Sequence, residues 1–359
     1  MKILHIINNL GMGGAEKLVH DMSVIQKAQG DDVKVLVLNS SNEYWQTEIE
    51  RKGIEVICLT NKIGIYNPLI SLLLIPYLRG LDIVHVHLFP AQYWVALAKF
   101  LSLNKIKLVT TEHNTNNRRR KYAFLKFVDR LIYRLYSIVV ACSEPVLKSF
   151  VDYCNVTEST FISNGVDVNC FFEAQPYTKK ELLDCDENMF CVVMVSRFIY
   201  PKSQKLLIES LKYLNNNVKM VFVGDGVERG NCIEYAKSIG KYEQTSFLGV
   251  RHDIPRILKT CDVVALITEF EGLSLSSLEG LSTGKPFIGS DAPGLNDVIR
   301  DAGMLVQNDA KEIAKAIKSL EDKTLYNEVS TKCLARSREY DLSIMVDKYY
   351  EVYKNSLNS

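Results

Sequence analysis

Short β-branched runs recur through the first half of the chain, separated by longer amphipathic stretches: Ile3 to Ile7, Val33 to Leu38, Glu55 to Leu59, Ile83 to Val86, Leu108 to Thr111 and Ile138 to Ala141. Neighbouring parallel strands need a crossover connection, and a helical pattern of about 10 to 15 residues between strands supplies one. The alternation therefore confines this half to a doubly wound α/β sheet with both faces covered. The periodicity fades over Asn169 to Glu187, and Phe190 to Val195 starts a fresh strand. Lys219 to Val223, Ser246 to Leu248, Val263 to Ile267 and Phe287 to Gly289 then repeat the grammar. This predicts two Rossmann-like domains, residues 1–168 and 169–342, with parallel sheets facing across a cleft. Helical patterns close the chain at Lys311 to Glu321, Lys323 to Glu339 and Ser343 to Leu357, and the last, about 343–359, is expected to pack back on the first domain. At 359 residues the chain also exceeds what one hydrophobic core usually serves.

Other classes are disfavoured. Forty-three basic against 42 acidic residues leave a net charge of +1, so the whole-chain field carries no nucleic-acid footprint. The longest apolar stretch, Leu69 to Leu78, is interrupted by Ser71, Pro76 and Tyr77 and falls well short of the roughly 20 residues that cross a bilayer. Met1-Lys2 runs directly into a strand pattern without an apolar leader, so the chain is expected in the cytoplasm. Nine cysteines occur without a Cys-x-x-Cys pair. Cys58, Cys142, Cys191 and Cys261 lie in or beside apolar runs, as reduced core thiols would.

In open parallel sheets ligands bind beyond the carboxyl ends of the strands, which directs attention to the cleft and the strand-to-helix loops. The first loop, Asn8 to Glu16, carries Gly11, Gly13 and Gly14. It reads either as an anion site at a helix start or as a tight turn, because Glu16 stands where a dinucleotide fingerprint has its third glycine. The segment Met194 to Lys205 leaves the first strand of the second domain with Arg197, Lys202 and Lys205. A guanidinium fork and an ammonium suit a diphosphate gaining negative charge, and a solvated basic loop is the alternative. Glu269 to Glu279 places Glu271 and Glu279 eight positions apart, Glu271 in the loop and Glu279 one to two turns inside the following helix. Two carboxylates would accept from sugar hydroxyls while the N–H groups of Gly272, Leu273 and Ser274 cap a phosphate, an arrangement fitting a nucleotide sugar. A helix-start acid is the plainer reading of Glu271.

Glu-x7-Glu in this Gly-Leu-Ser context, followed by Gly284-Lys285-Pro286, resembles the retaining glycosyltransferases of the GT-B class that includes family 4. Gly13-Gly14-Ala15-Glu16, Asp82 to His87, Thr111-Glu112-His113-Asn114, Ile162 to Asp167, Ser196-Arg197 with Lys202, and Gly224-Asp225-Gly226 match its landmarks in order. The resemblance implies that Arg197 and Lys202 hold a donor diphosphate, Glu279 the ribose hydroxyls and Glu271 the transferred sugar. It implies further that Gly13 and Gly14 approach the phosphate from the first domain, that His113 lines the reacting centre, and that donor binds the second domain and acceptor the first. Ser203 and Gly280 depart from it, replacing a usual glycine and a usual alanine. The implied reaction is retaining transfer to an acceptor hydroxyl on a surface polysaccharide or lipid-linked glycan. The alternatives are a nucleotide-sugar epimerase or hydrolase, or a non-catalytic sugar-nucleotide-binding subunit. No cofactor beyond the co-substrate is expected, and no metal: His85 and His87 share a strand face, but no local carboxylate or cysteine completes a cluster.

Seven cations, Arg118, Arg119, Arg120, Lys121, Lys126, Arg130 and Arg134, stand against Asp129 in one segment. Lys126, Arg130 and Arg134 recur every four positions while Phe124, Phe127, Leu131 and Leu135 take another face, which predicts an amphipathic helix with a cationic side. It reads as a packed surface helix with a solvated face, or as a patch for anionic headgroups or the phosphates of a lipid-linked acceptor, placing the protein on the cytoplasmic face of a membrane.

Overall fold

A computed structural model describes residues 1–40, 43–112, 123–156, 158–271 and 273–358. The chain divides into two units, Met1–Gly165 with Leu342–Ser359, and Val166–Asp341. In the first, the elements run β1 (Lys2–Ile7), α1 (Gly14–Ala28), β2 (Asp32–Val37), α2 (Tyr44–Arg51), β3 (Glu55–Cys58), α3 (Ile70–Leu74), β4 (Ile83–His87), α4 (Ala91–Leu101), β5 (Lys107–Glu112), α5 (Ala123–Tyr133), β6 (Ile138–Ala141), α6 (Glu144–Cys154) and β7 (Ser159–Phe161). Among the described residues they form a seven-stranded parallel sheet in the order β3-β2-β1-β4-β5-β6-β7. Ile3 stands level with Val33 on one side and Ile83 on the other. From Ile3 on, β1 is buried, and so is all of β4, which is why these strands read as unbroken apolar runs rather than alternating ones.

The second unit runs α7 (Val168–Phe172), α8 (Lys179–Leu183), β8 (Phe190–Val195), α9 (Gln204–Ser210), β9 (Val218–Val223), α10 (Arg229–Ser238), β10 (Thr245–Phe247), α11 (Ile254–Thr260), β11 (Val263–Leu266), α12 (Leu275–Ser282), β12 (Phe287–Ser290), α13 (Leu295–Ile299), β13 (Met304–Val306), α14 (Ala310–Ser319) and α15 (Lys323–Arg338). Its parallel sheet has six strands, β10-β9-β8-β11-β12-β13. The last helix, α16 (Leu342–Asn358), returns to the first unit. There Met345, Val346, Tyr349 and Tyr353 pack with Leu18 and Met22 of α1 over Ile3, Ile83, Val109 and Val140. The opposite face of that sheet carries a core of Leu4, Ile6, Val84, Val86 and Leu108 with residues of α3 to α6.

Two strands escaped the sequence pattern, β7 and β13, each three residues long and at a sheet edge. Partial exposure there removes the selection for a continuous apolar run. The same edge effect corrects the reading of Cys58, which is exposed because β3 closes its sheet, whereas Cys142, Cys191 and Cys261 are buried. No helix among the described residues is long and apolar enough to cross a membrane.

Candidate active site

In the second unit, two loops leaving β8 and β11 are stitched together by backbone pairing. Lys202 and Thr268 form an isolated antiparallel bridge. Ser203 N–H donates to Ile267 O at 2.9 Å and Glu269 N–H to Pro201 O at 3.1 Å. The junction is braced from behind. Thr268 N–H donates to Ser290 Oγ at 2.9 Å, Ser290 Oγ donates to Asn308 Oδ1 at 2.6 Å, and Asn308 Nδ2 returns to Thr268 O at 3.0 Å. Gln204, buried at the start of α9, donates through Nε2 to Ser196 Oγ at 3.0 Å and Arg197 O at 2.9 Å, fixing the backbone that bears Arg197.

Gly224 and Gly226 explain how a third loop comes so close. Their φ values are +126° and +153°, and a Cβ at either would lie 2.2 Å from Ser196 O or 2.4 Å from Phe198 O. Only glycine lets the loop after β9 press on the Arg197 loop, where Phe198 N–H donates to Asp225 O at 2.9 Å.

This scaffold brings Lys202 and Glu271 into an ion pair, both largely sheltered from solvent. Burial, and secondly the positive charge of Arg197, lower the Lys202 ammonium to about 8. Arg197 is exposed. Glu271 is held at its backbone, N–H to Pro293 O at 3.1 Å. Leu273 is half-buried against the core. Ser274 is the N-cap of α12 without a side-chain cap; its Oγ instead meets Ser276 Oγ at 3.0 Å, so it satisfies none of the first-turn N–H groups. Glu279 sits just over one turn into α12 and is buried. Two carboxylates, an ammonium and a guanidinium thus come from the loops and helix starts at the carboxyl ends of β8 and β11.

Gly13 and Gly14 belong to the first unit. Gly13 is the extended N-cap of α1 (φ −131°), and the Glu16 carboxylate folds over it, 2.0 Å from where a Cβ would be. Asn8 had no assigned role in the sequence, yet it ties two loops: Nδ2 donates to Phe89 O at 2.8 Å, and Ala91 N–H donates to its Oδ1 at 3.1 Å. Within that second loop Leu88 is held at φ +63°, strained for a leucine. His113, Gly272 and the cations Arg118, Arg119, Arg120 and Lys121 lie outside the described residues.

The faces of α5 require a correction. Of the expected packing stripe Phe124, Phe127, Leu131 and Leu135, the first three are exposed and only Leu135, just past the helix, packs half-buried on the core; burial within α5 falls instead on Asp129 and Tyr133, followed by Tyr136 beyond its end. Lys126 and Arg130 are half-buried and Arg134 is exposed.

His85 and His87 do share a face, and His5 of β1 joins them, giving three imidazoles whose nitrogens lie within 4.8 Å of one another. Their contacts are those of a hydrogen-bonded core. His85 Nδ1 meets Tyr353 OH at 2.7 Å and its Nε2 meets Thr111 Oγ1 at 2.8 Å, while His5 bridges His87 Nε2 at 3.2 Å and Gln26 Oε1 at 2.7 Å. Burial lowers His5 to about 4.

Residues 12–169 match the family described as Glycosyltransferase Family 4, and residues 178–338 the family Glycosyl transferases group 1. The chain belongs to these glycosyltransferases. Among relatives, the UDP-Gal:alpha-D-GlcNAc-diphosphoundecaprenol alpha-1,3-galactosyltransferase of Escherichia coli is 31% identical over 214 residues, 56% of this chain and 55% of that enzyme. The match thus spans about half the relative's length. The N-acetylgalactosamine-N,N'-diacetylbacillosaminyl-diphospho-undecaprenol 4-alpha-N-acetylgalactosaminyltransferase of Campylobacter jejuni is 23% identical over 93% of this chain and 94% of its own. Anabaena Alr3699/HepE, solved with UDP and glucose, superposes with a TM-score of 0.83 at 21% identity over 99% of both chains, a likeness of GT-B fold. Two departures from the family's pattern have local explanations. Ser203 has φ −113°, which needs no glycine. At Gly280 a Cβ would stand 2.7 Å from the Phe287 ring and 2.8 Å from Val264 Cγ1, so the space of an alanine methyl is already taken.

Proposed function

We propose that this family 4 glycosyltransferase moves a sugar, with retention, from a nucleotide diphosphate sugar bound by the second unit to an acceptor hydroxyl presented by the first. The observation that carries the reading is the Lys202–Glu271 pair, with Arg197 close enough to act electrostatically on Lys202. In the free protein the carboxylate balances a sheltered cation; in the complex the diphosphate takes over that balance, and Glu271 turns to the sugar hydroxyls. Arg197 and Lys202 stabilise charge as the bond to the sugar breaks, and the departing diphosphate oxygen accepts the proton of the incoming hydroxyl. Glu279 accepts from the ribose, the N–H groups around Gly272, Leu273 and Ser274 meet phosphate oxygens, and His113, Gly13 and Gly14 serve from the first unit.

Uridine is the proposed base, since UDP is named for both the galactosyltransferase relative and the HepE complex. The undecaprenyl diphosphate in two relatives' names supports a lipid-linked glycan as acceptor, and hence a cytoplasmic protein peripheral to an anionic membrane. Thermal shift against UDP, GDP and ADP tests the base, because a selective ligand stabilises with the logarithm of its concentration over Kd. Lys202→Ala should lower kcat more than it weakens binding of intact donor. Equal losses would remove Lys202 from the transition state, and sugar released or isomerised from donor alone would replace transfer by hydrolysis or epimerisation.

A further inference from the structure

We infer that Tyr200 and Phe270 form a stacking platform for a pyranose ring of the acceptor glycan, set beside the donor site on the second unit. The inference deepens the proposed transfer reaction and rests on it. The two rings come from different loops, after β8 and after β11, and meet edge to face with centroids 6.0 Å apart. Both are turned to water, Tyr200 68% and Phe270 45% exposed, and the backbone that carries them is pinned. Lys202 N–H donates to Ile199 O at 2.9 Å across Tyr200, and the Lys202–Thr268 bridge ties that turn to the second loop. Thr268 Oγ1 donates to Phe270 O at 2.9 Å, and the next N–H, that of Glu271, is held by Pro293 O. A rigid aromatic surface loses little freedom when a ligand covers it.

The chemistry beside the rings selects a sugar. The Tyr200 hydroxyl donates to the exposed Glu269 carboxylate, whose remaining lone pairs can accept from ligand hydroxyls. A pyranose packs its C–H face on an aromatic ring while its hydroxyls need acceptors at the rim, and this corner offers both. Position selects which end of the reaction. Glu279, proposed for the ribose, lies within α12, whereas Phe270 immediately precedes Glu271, proposed for the transferred sugar. The rings therefore stand at the sugar end of the donor, away from its base. Exposure then separates acceptor from donor. The Lys202 and Glu271 side chains are only 13% and 19% exposed, a sheltered seat for a small donor, while the open platform suits a glycan that enters and leaves with its lipid attached. Two rings are too small a patch for a protein partner, which covers about 800 Å² on each side. The Glu269 carboxylate disfavours an anionic headgroup.

The test is saturation-transfer NMR on the full chain in saturating UDP, with the methyl glycosides of glucose, galactose, N-acetylglucosamine and N-acetylgalactosamine as probes. At least one should receive saturation at the ring C–H protons of one face. Tyr200→Ser with Phe270→Ser should weaken that glycoside by about tenfold or more, the size of contribution that aromatic stacking makes. UDP affinity and melting temperature should stay unchanged, and Tyr200→Phe, which keeps the ring, should retain the saturation. No signal from any glycoside, or a signal indifferent to the serine substitutions, would overturn the platform and leave the donor site standing. A fall in UDP affinity with the serine substitutions would assign the rings to the base and overturn it too. Failure of UDP, GDP and ADP alike to bind the unsubstituted chain would instead sink the transfer reading on which the platform rests.

Discussion

Lys202 is the residue on which electrostatics and function meet. Burial holds its ammonium at about 8, where an exposed lysine titrates above 10. In the free protein the cation is therefore half present at pH 8, nearly complete about one pH unit below and lost above it, and a diphosphate that needs the charge must then bind together with a proton. UDP affinity should level off below about pH 7 and approach a fall of about tenfold per pH unit above about pH 9, with the bend at about 8 and proton uptake visible in calorimetry in two buffers of different ionisation enthalpy. The neighbours set the sign of two controls. Arg197→Ala removes a charge that depresses Lys202 and should move the break to higher pH; Glu271→Gln removes a carboxylate that favours the ammonium and should move it lower. A break that ignores both substitutions would belong to another group. Stability follows the same linkage: between pH 8 and 10.5 the unfolded chain binds the extra proton, so this group's contribution to stability rises with pH there. The candidate residues could be named from the sequence, but their meeting could not. Lys202 is bridged to Thr268, three residues before Glu271, and Thr268, Ser290 and Asn308 are common polar residues whose mutual hydrogen bonds exist only after the carboxyl ends of three separate strands come together.

At the scale of the element, α12 opposes local propensity to packing. Alanine at position 280 would favour the helix by about 1 kcal/mol over glycine. Its methyl would meet the buried Phe287 ring and Val264, neither of which has room to retreat, and overpacking of this kind costs roughly 1 to 3 kcal/mol. Gly280→Ala should therefore lower stability in urea unfolding, and combining it with Phe287→Leu should cost less than the sum of the two single changes. A stabilising Gly280→Ala would show that the ring can move. The same contest explains which elements the sequence disclosed. Central strands such as β1 and β4 were legible because burial on both sides leaves a continuous apolar run, and the Glu-x7-Glu loop because its spacing is local. β7 and β13 were not, being too short and too exposed to carry a pattern. For α5, periodicity announced an apolar stripe but could not say that Tyr133 and Tyr136 would take the core and leave Phe124 and Phe127 outside.

Across the whole molecule, the chain's last helix belongs to the unit where the chain began, and the contact that receives it contains the buried histidines. His85 bonds the Tyr353 hydroxyl, Thr111 bonds Tyr349, and His5 and His87 lie beside them with Gln26 of α1. None of the three imidazoles is exposed, so a proton there has no water to solvate it. His5 illustrates the sign. Its folded value of about 4 lies below the unfolded 6.5, so the unfolded chain binds more protons in between, and the stabilisation present above pH 6.5 is lost as pH falls towards 4. The shift corresponds to roughly 3 kcal/mol, enough to matter against the 5 to 15 kcal/mol that typically hold a domain folded. Acid should thus loosen the first unit and α16 before the second unit, whose sheet core contains no histidine. Hydrogen exchange at pH 7.5 and pH 5, corrected for intrinsic rates, should show protection lost in α16 and β4 while β8 and β11 keep theirs. His5→Gln, which keeps a polar side chain beside Gln26 but cannot be protonated, should flatten that difference. Equal loss of protection in both units, or an unchanged pH response in His5→Gln, would move the acid sensitivity elsewhere.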